Sequence, residues 1–260
     1  MSTGLRFYPA SHRYKLDGEW VPSVTGISKT GGGCEGLVKW AGEVTAAYAV
    51  DHIDLAQQLD REAYIALVST EARRARDRAS SAGVEVHRIA QHLIAGEPVE
   101  VEPYIEPYAL QARDLIERYD LMALLNESLV GSRQHQYAGR LDTIARLVTV
   151  ERGEHLALID WKTGRSFWTD VALQLVGYAR ADFAVVGNHE EPVPAVDAFY
   201  IAHIGPDSAE LYPVVVDDET WTTFLAARRL QPFTKLRRDT VIGDALDHPA
   251  PELIAEGESW

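Results

Sequence analysis

The chain has 260 residues, 46% of them apolar, with 25 Lys and Arg against 39 Asp and Glu and a formal net charge of −14. This is enough material for one large domain with a full core, no run approaches the roughly 20 apolar residues that span a bilayer, and the acidic balance excludes coating of nucleic acid through total charge while leaving a local basic groove open. Cys34 is the only cysteine, which excludes an internal disulfide, a cysteine-ligated zinc and an iron–sulfur cluster, and fits a reducing, cytoplasmic compartment.

Met1 to Trp20 carries charges throughout and lacks the apolar core of a signal peptide. Phe7 to Val21 reads as a hairpin with Asp17-Gly18 as its turn. Pro22-Ser23 offers a helix entry, and Gly31-Gly32-Gly33 breaks the pattern. Helical spacing then runs from Gly36 to about Val50, from Arg61 to Thr70 and on to Ile94. Gly96 to Pro103 is a loop, and Glu106 to Leu125 is helical again. From there the texture changes. Ser128–Gln134, Tyr137–Val150 and His155–Trp161 read as strands, with Glu151-Arg152-Gly153-Glu154 joining the last two. Trp168–Phe183 reads as an amphipathic helix, Ala195–Ala202 and Ala209–Val216 as strands, and Asp218–Leu230 as a closing helix. The order predicts an α/β fold: a mixed central sheet flanked by helices, with a helical N-terminal elaboration. Within a single 1–260 domain, residues 1–125 form the mainly helical part, 126–238 the α/β core, and 239–260 a tail with six carboxylates and no Lys or Arg.

Two short stretches carry the chemistry: Gly139-Arg140-Leu141-Asp142 and Leu158-Ile159-Asp160-Trp161-Lys162. Side chains at i and i+2 of a strand leave the same face, so Asp160 and Lys162 point together while Trp161 points away. A turn at Arg152-Gly153 sets Asp142 and Asp160 on adjacent antiparallel strands, where they could share a hard divalent cation, the Trp161 carbonyl completing an oxygen-rich shell. Gln174 and Tyr178 share one face of the following helix, and His87 lies on the helical stretch upstream. Each of these alone is equally an ordinary packed or surface residue. The arginines Arg73, Arg74, Arg76, Arg78 and Arg88, and the group Arg228, Arg229, Lys235, Arg237 and Arg238, are either solvated faces or phosphate contacts. Gly31 to Gly36 has the glycine spacing of a phosphate loop but continues Leu37-Val38 in place of Lys-Ser/Thr, so no ATP site is expected.

Taken in order, His87, the Gly-x-Leu entry to Asp142, Asp160-x-Lys162 and Gln174-x-x-x-Tyr178 resemble the PD-(D/E)XK nuclease superfamily, in its RecB-like exonuclease branch. The similarity runs from about Gly83 to Tyr178. Val21-Pro22-Ser23-Val24-Thr25 and Leu37-Val38-Lys39-Trp40 look like the entry of phage-encoded exonucleases and of the mitochondrial genome maintenance exonuclease family. The resemblance implies a restriction-endonuclease-like core that uses Mg²⁺ or Mn²⁺, without an iron–sulfur cluster. Asp142 and Asp160 become carboxylate ligands, Lys162 the catalytic lysine, His87 a further ligand, and Gln174 and Tyr178 substrate contacts. Arg73, Arg74, Arg76 and Arg88 would grip the DNA backbone along a channel wall built by residues 1–125. Glu127 corresponds loosely to an acidic residue near some family sites and has no assigned role.

The function expected on this basis is metal-dependent hydrolysis of DNA phosphodiesters by an exonuclease at ends or single strands, in recombination, repair or phage DNA processing. It would act in the cytoplasm, of a bacterial host if phage-encoded, with a single-strand annealing or recombination protein as a partner and no membrane. An endonuclease of restriction or structure-specific type on the same core, and an inactive DNA-binding module partnering an annealing protein, are the alternatives.

Overall fold

A computed structural model describes residues 3–31, 35–163, 169–233, 236 and 240–242. Cys34, Trp168, the cationic positions Lys235, Arg237 and Arg238, and the acidic tail lie outside the described residues, apart from 240–242 of the tail.

The N-terminal part begins with a three-stranded antiparallel sheet, β1 (Leu5–Tyr8), β2 (Arg13–Leu16) and β3 (Glu19–Val21). Leu16 pairs with Glu19 across Asp17-Gly18, whose φ values of 48° and 92° are the left-handed conformations a two-residue hairpin loop requires. The expected hairpin is therefore present, with β1 added on its edge. Helices α1 (Val24–Gly31), α2 (Glu35–Asp51), α3 (Leu55–Gln58), α4 (Arg61–Ser69), α5 (Glu71–Ile94) and α6 (Glu106–Arg118) follow.

The remaining elements are β4 (Met122–Asn126), β5 (Leu129–Ser132), β6 (Tyr137–Arg140), β7 (Thr143–Thr149), β8 (Gly153–Lys162), α7 (Asp170–Ala179), β9 (Phe183–Val186), β10 (His189–Glu191), β11 (Ala198–Ile204), β12 (Ala209–Pro213) and α8 (Asp218–Phe233). They build a mixed five-stranded sheet in the order β12-β11-β8-β7-β4 and a four-stranded sheet in the order β10-β9-β5-β6. The fold is α/β, with helices on both faces of the mixed sheet, as the element order predicts.

The strand β8 alternates strictly between two cores. Leu158 packs with α1, α7 and α8 through Val24, Ile27, Val176 and Phe224. Ala157, Ile159 and Trp161 pack on the other face with Val86 and Ile89 of α5 and Ala112 and Leu115 of α6. Burying both faces explains why β8 reads as a nearly continuous apolar run. It also makes Asp160, 2% exposed on the α7 side, conspicuous.

Three boundaries differ from the sequence reading. The predicted helix Glu106–Leu125 stops at Arg118, because Asp120 takes a left-handed φ of 48° that ends the helix and starts β4. The predicted strand Tyr137–Val150 is two strands, β6 and β7, in different sheets. The predicted helix Trp168–Phe183 ends at Ala179 within the described residues, and Phe183 opens β9, which turns through Gly187 (φ 61°) into the short β10.

The break between β6 and β7 sets up the site. Leu129 opposes Arg140 and Asn126 opposes Thr143, so β4–β5 and β6–β7 form one long antiparallel ribbon, in constant register from Leu125 to Ser132 after a one-residue shift between Ala123 and Leu125. Midway it passes from one sheet to the other. Between these two pairs the register sets Glu127 opposite Asp142: Glu127 has a φ of 49°, and its N–H donates to the Asp142 carbonyl at 2.7 Å.

Candidate functional site

The ladder between β7 and β8 pairs Thr143 with Ile159. One step beyond its end, Asp142 falls opposite Asp160. Asp142 Oδ2 accepts a 2.9 Å hydrogen bond from the Trp161 N–H. A strand residue's N–H and C=O leave the same edge, so the Trp161 carbonyl faces the Asp142 side, as expected. The Trp161 indole is buried on the opposite face and donates to Thr143 Oγ1 at 3.0 Å.

Helix α5 brings His87 to this strand end. Gly83 lies one turn earlier, where a Cβ would stand 3.2 Å from Thr163 Oγ1, so the missing side chain lets the helix approach the end of β8. One turn later, the Gln91 carbonyl accepts from Asn126 Nδ2 at 2.9 Å. Between these anchors His87 Nδ1 sits 3.5 Å from Asp142 Oδ2. His87, Glu127 and Asp142 offer one ligand atom each, all within 4.8 Å of one another. The sequence left Glu127 without a role; the structure brings it to the centre of the site.

Asp160 lies beside this group and differs from it in kind. Both its oxygens are buried, and the Lys162 ammonium, in contact with Oδ2, is its one partner among the described residues. Burial first, then the Asp142 charge, push its pKa up to about 6, against the opposing pull of Lys162. Burial works against the charge of Lys162, but the Asp160 and Asp142 carboxylates outweigh it and raise the lysine pKa. Burial, Asp142 and Asp160 likewise hold the Tyr178 phenol above its ordinary range, and its oxygen accepts from Gln174 Nε2 at 3.1 Å. Glu127 is raised by burial and by Asp142, with Arg140 and His87 pulling the other way.

These groups, apart from the buried Asp160, border an open cleft of about 640 Å³. His87, Asp142, Lys162, Gln174 and Tyr178 all line it, and Asp160 lies beneath it against Lys162. Arg88 lines it too, although its guanidinium is held by Glu85 at 2.6 Å and by the Glu100 carbonyl at 2.9 Å. Arg73, Arg74 and Arg76 are exposed on the first turns of α5 and do not border the cleft; Arg76 pairs with its neighbour Asp77. Arg76 lies eleven positions before His87, about 16 Å along the helix. Arg140, absent from the sequence assignment, pairs with Glu127 at 3.1 Å and lines the cleft, as do His12 and Thr25.

Donors of this kind suit a hard or borderline divalent cation: two or three carboxylates and one imidazole, with a buried carboxylate whose one partner is Lys162. No helix among the described residues is long and apolar enough to cross a membrane. No protein-family model matches the chain, and no curated protein matches it significantly.

Proposed function

We propose that the protein is a divalent-metal-dependent deoxyribonuclease hydrolysing phosphodiesters at DNA ends or in single strands, in recombination, repair or phage DNA processing. The observation that carries this reading is the Asp160 carboxylate, buried with the Lys162 ammonium on Oδ2 as its one partner among the described residues. A buried carboxylate in that condition is costly to maintain. It becomes intelligible as a ligand at the edge of the His87, Glu127 and Asp142 group.

A bound Mg²⁺ or Mn²⁺ supplies Lewis-acid polarisation of a phosphoryl oxygen and makes a water more acidic. The chain's own groups do the rest. Lys162 keeps its proton because two carboxylates stabilise it, so it orients the attacking water or donates to the phosphate, and does not take a proton. Tyr178 stays protonated at neutral pH and is oriented by Gln174. Arg140 and Arg88 border the cleft as the nearest guanidinium groups for the flanking phosphates.

The test is digestion of end-labelled single- and double-stranded DNA with Mg²⁺ or Mn²⁺ against a chelator control. Asp160→Ala and Lys162→Ala each abolish cleavage while the folded state persists; undiminished cleavage by both variants refutes the assignment. Linear against circular substrates separates an exonuclease from an endonuclease on the same residues.

A further inference from the structure

The outer face of the β1–β3 sheet is unlike the rest of this acidic protein. Leu5, Tyr14, Leu16 and Val21 point inward to their own core. Alternation sends Arg6, Tyr8, Arg13, Lys15 and Trp20 outward, and the register sets them side by side: Tyr8 opposite Arg13, Arg6 opposite Lys15, and Lys15 opposite Trp20. Trp20 is 46% exposed and Tyr8 37%. Their rings lie 5.0 Å apart, and the Arg13 guanidinium covers Trp20 at 3.9 Å. Large aromatic side chains left in water at that exposure lose the burial that normally stabilises them.

This face borders a groove of about 780 Å³ that runs between Arg13 and Trp20 on one side and Lys29 of α1 and Arg228 of α8 on the other. Among the described residues no Asp or Glu lines it, in a chain where acidic residues outnumber basic ones 39 to 25. A smaller hollow of about 330 Å³, again without a carboxylate among the described residues, lies beside Phe7, Thr25 and Lys29. Phe7, His12, Tyr14 and Thr25 border both this hollow and the carboxylate cleft, and His12 and Tyr14 border all three. The Asp142 cleft and the Arg13–Trp20 platform therefore adjoin through shared walls. Among the described residues no carboxylate pairs with Arg13 or Lys29.

We propose that this groove holds a single-stranded stretch of the nucleic acid whose phosphodiester lies at the carboxylate cleft, with Trp20 and Tyr8 stacking on bases and Arg13 and Lys29 neutralising phosphates. The ligand's identity rests on the nuclease reading; the groove's charge and shared walls do not. Exposed aromatics interleaved with cations along a trough are what unpaired bases and their backbone require. A duplex hides its base faces and offers the platform nothing to stack on.

The test uses the full chain in chelator, so that no strand is cut, and reads the anisotropy of a labelled oligothymidylate of about 20 nucleotides. Trp20→Ala weakens binding about tenfold with little change in salt dependence. Arg13→Ala with Lys29→Ala lowers the slope of log affinity against log salt by about 1.4, two phosphates' worth for a single strand. Arg152→Ala, in the turn at the opposite end of β8, is the control and leaves both readings at the wild-type value. Thermal midpoints matching the wild type exclude misfolding as the cause. Wild-type affinity in the groove variants, or tighter binding of a blunt duplex of the same length, overturns the proposal. Because cleavage is judged separately by Asp160→Ala and Lys162→Ala, an active enzyme with unchanged groove variants removes the groove alone.

Discussion

Replacing Asp160 by asparagine should make the metal-free protein more stable and the enzyme inactive. The carboxyl is 2% exposed, and Lys162 is its one partner among the described residues. Its pKa stands at about 6 against an ordinary value of 3.8. A carboxyl raised in this way costs the folded state nothing below about pH 4, more as pH climbs to about 6, and a constant amount above that, because burial opposes only the ionised form. At neutral pH that cost is about 3 kcal/mol. That figure already contains the attraction between Lys162 and the ionised carboxylate, so the ion pair lost in the neutral asparagine adds no separate cost. The expected gain is about 3 kcal/mol, or about 6–12 °C in Tm for a chain of this size. Calorimetry of wild type and Asp160→Asn in chelator, at pH 4 and pH 8, reads it directly. The variant's advantage should be present at pH 8 and absent at pH 4. Added Mn²⁺ should raise the wild-type Tm and leave the variant's unchanged, since ion binding only to the folded state stabilises by mass action. A variant less stable than wild type at pH 8, or equally advantaged at both pH values, would refute the reasoning.

Glu127→Gln should weaken Mn²⁺ binding about tenfold or more in calorimetric titration, because it removes one of three clustered donors. Unchanged affinity would place Glu127 outside the coordination. Gly139→Ala should destabilise by about 2–4 kcal/mol in urea titration, since its Cβ would lie 2.7 Å from Tyr178 Cε1 and 3.0 Å from Val24 Cγ2, both in the core. The pKa of Glu190 is held at about 2, chiefly by the Arg133 guanidinium. Its stabilisation is therefore full above about pH 4.5 and lost as pH falls toward 2. Glu190→Gln should cost about 1 kcal/mol at pH 7, discounted for the exposure of Arg133, with the difference from wild type shrinking over that acid range. A constant difference from pH 7 to pH 2 would contradict it.

Asp142, Asp160 and Lys162 were legible because their relation needs only a strand's two-residue period and one tight turn, and the ladder from Thr149–Gly153 to Thr143–Ile159 realises both. His87, Gln174 and Tyr178 were legible as helix positions, and packing brings them to the cleft. Glu127 was not, because its place depends on a pairing across the β4–β7 ribbon and on a left-handed backbone that no propensity announces at a glutamate. The two-sheet course of residues 137–149 was hidden for a related reason: an unbroken apolar alternation says nothing about which sheet each half joins. The stretch 122–125 passed for helix because Ala and Leu suit either state, and only the turn at Asp120 separates it from α6. The platform around Trp20 was invisible as a site because its neighbourhood with the cleft comes from how the first sheet docks against β5 and β6.

The ribbon that crosses from one sheet to the other fixes when competence arises in the life of the chain. Its hairpin is local and can close early, setting Glu127 against Asp142 before much else exists. Asp160 joins only when β8 adds to it, and burial of that carboxylate waits further for α7 and for β11, which returns from some forty residues downstream to pair Ile201 with Asp160. A nascent or half-folded chain thus holds part of the ligand set but not the desolvated carboxylate beside its lysine. On the proposed nuclease reading, cleaving power would arrive only with the last long-range pairing.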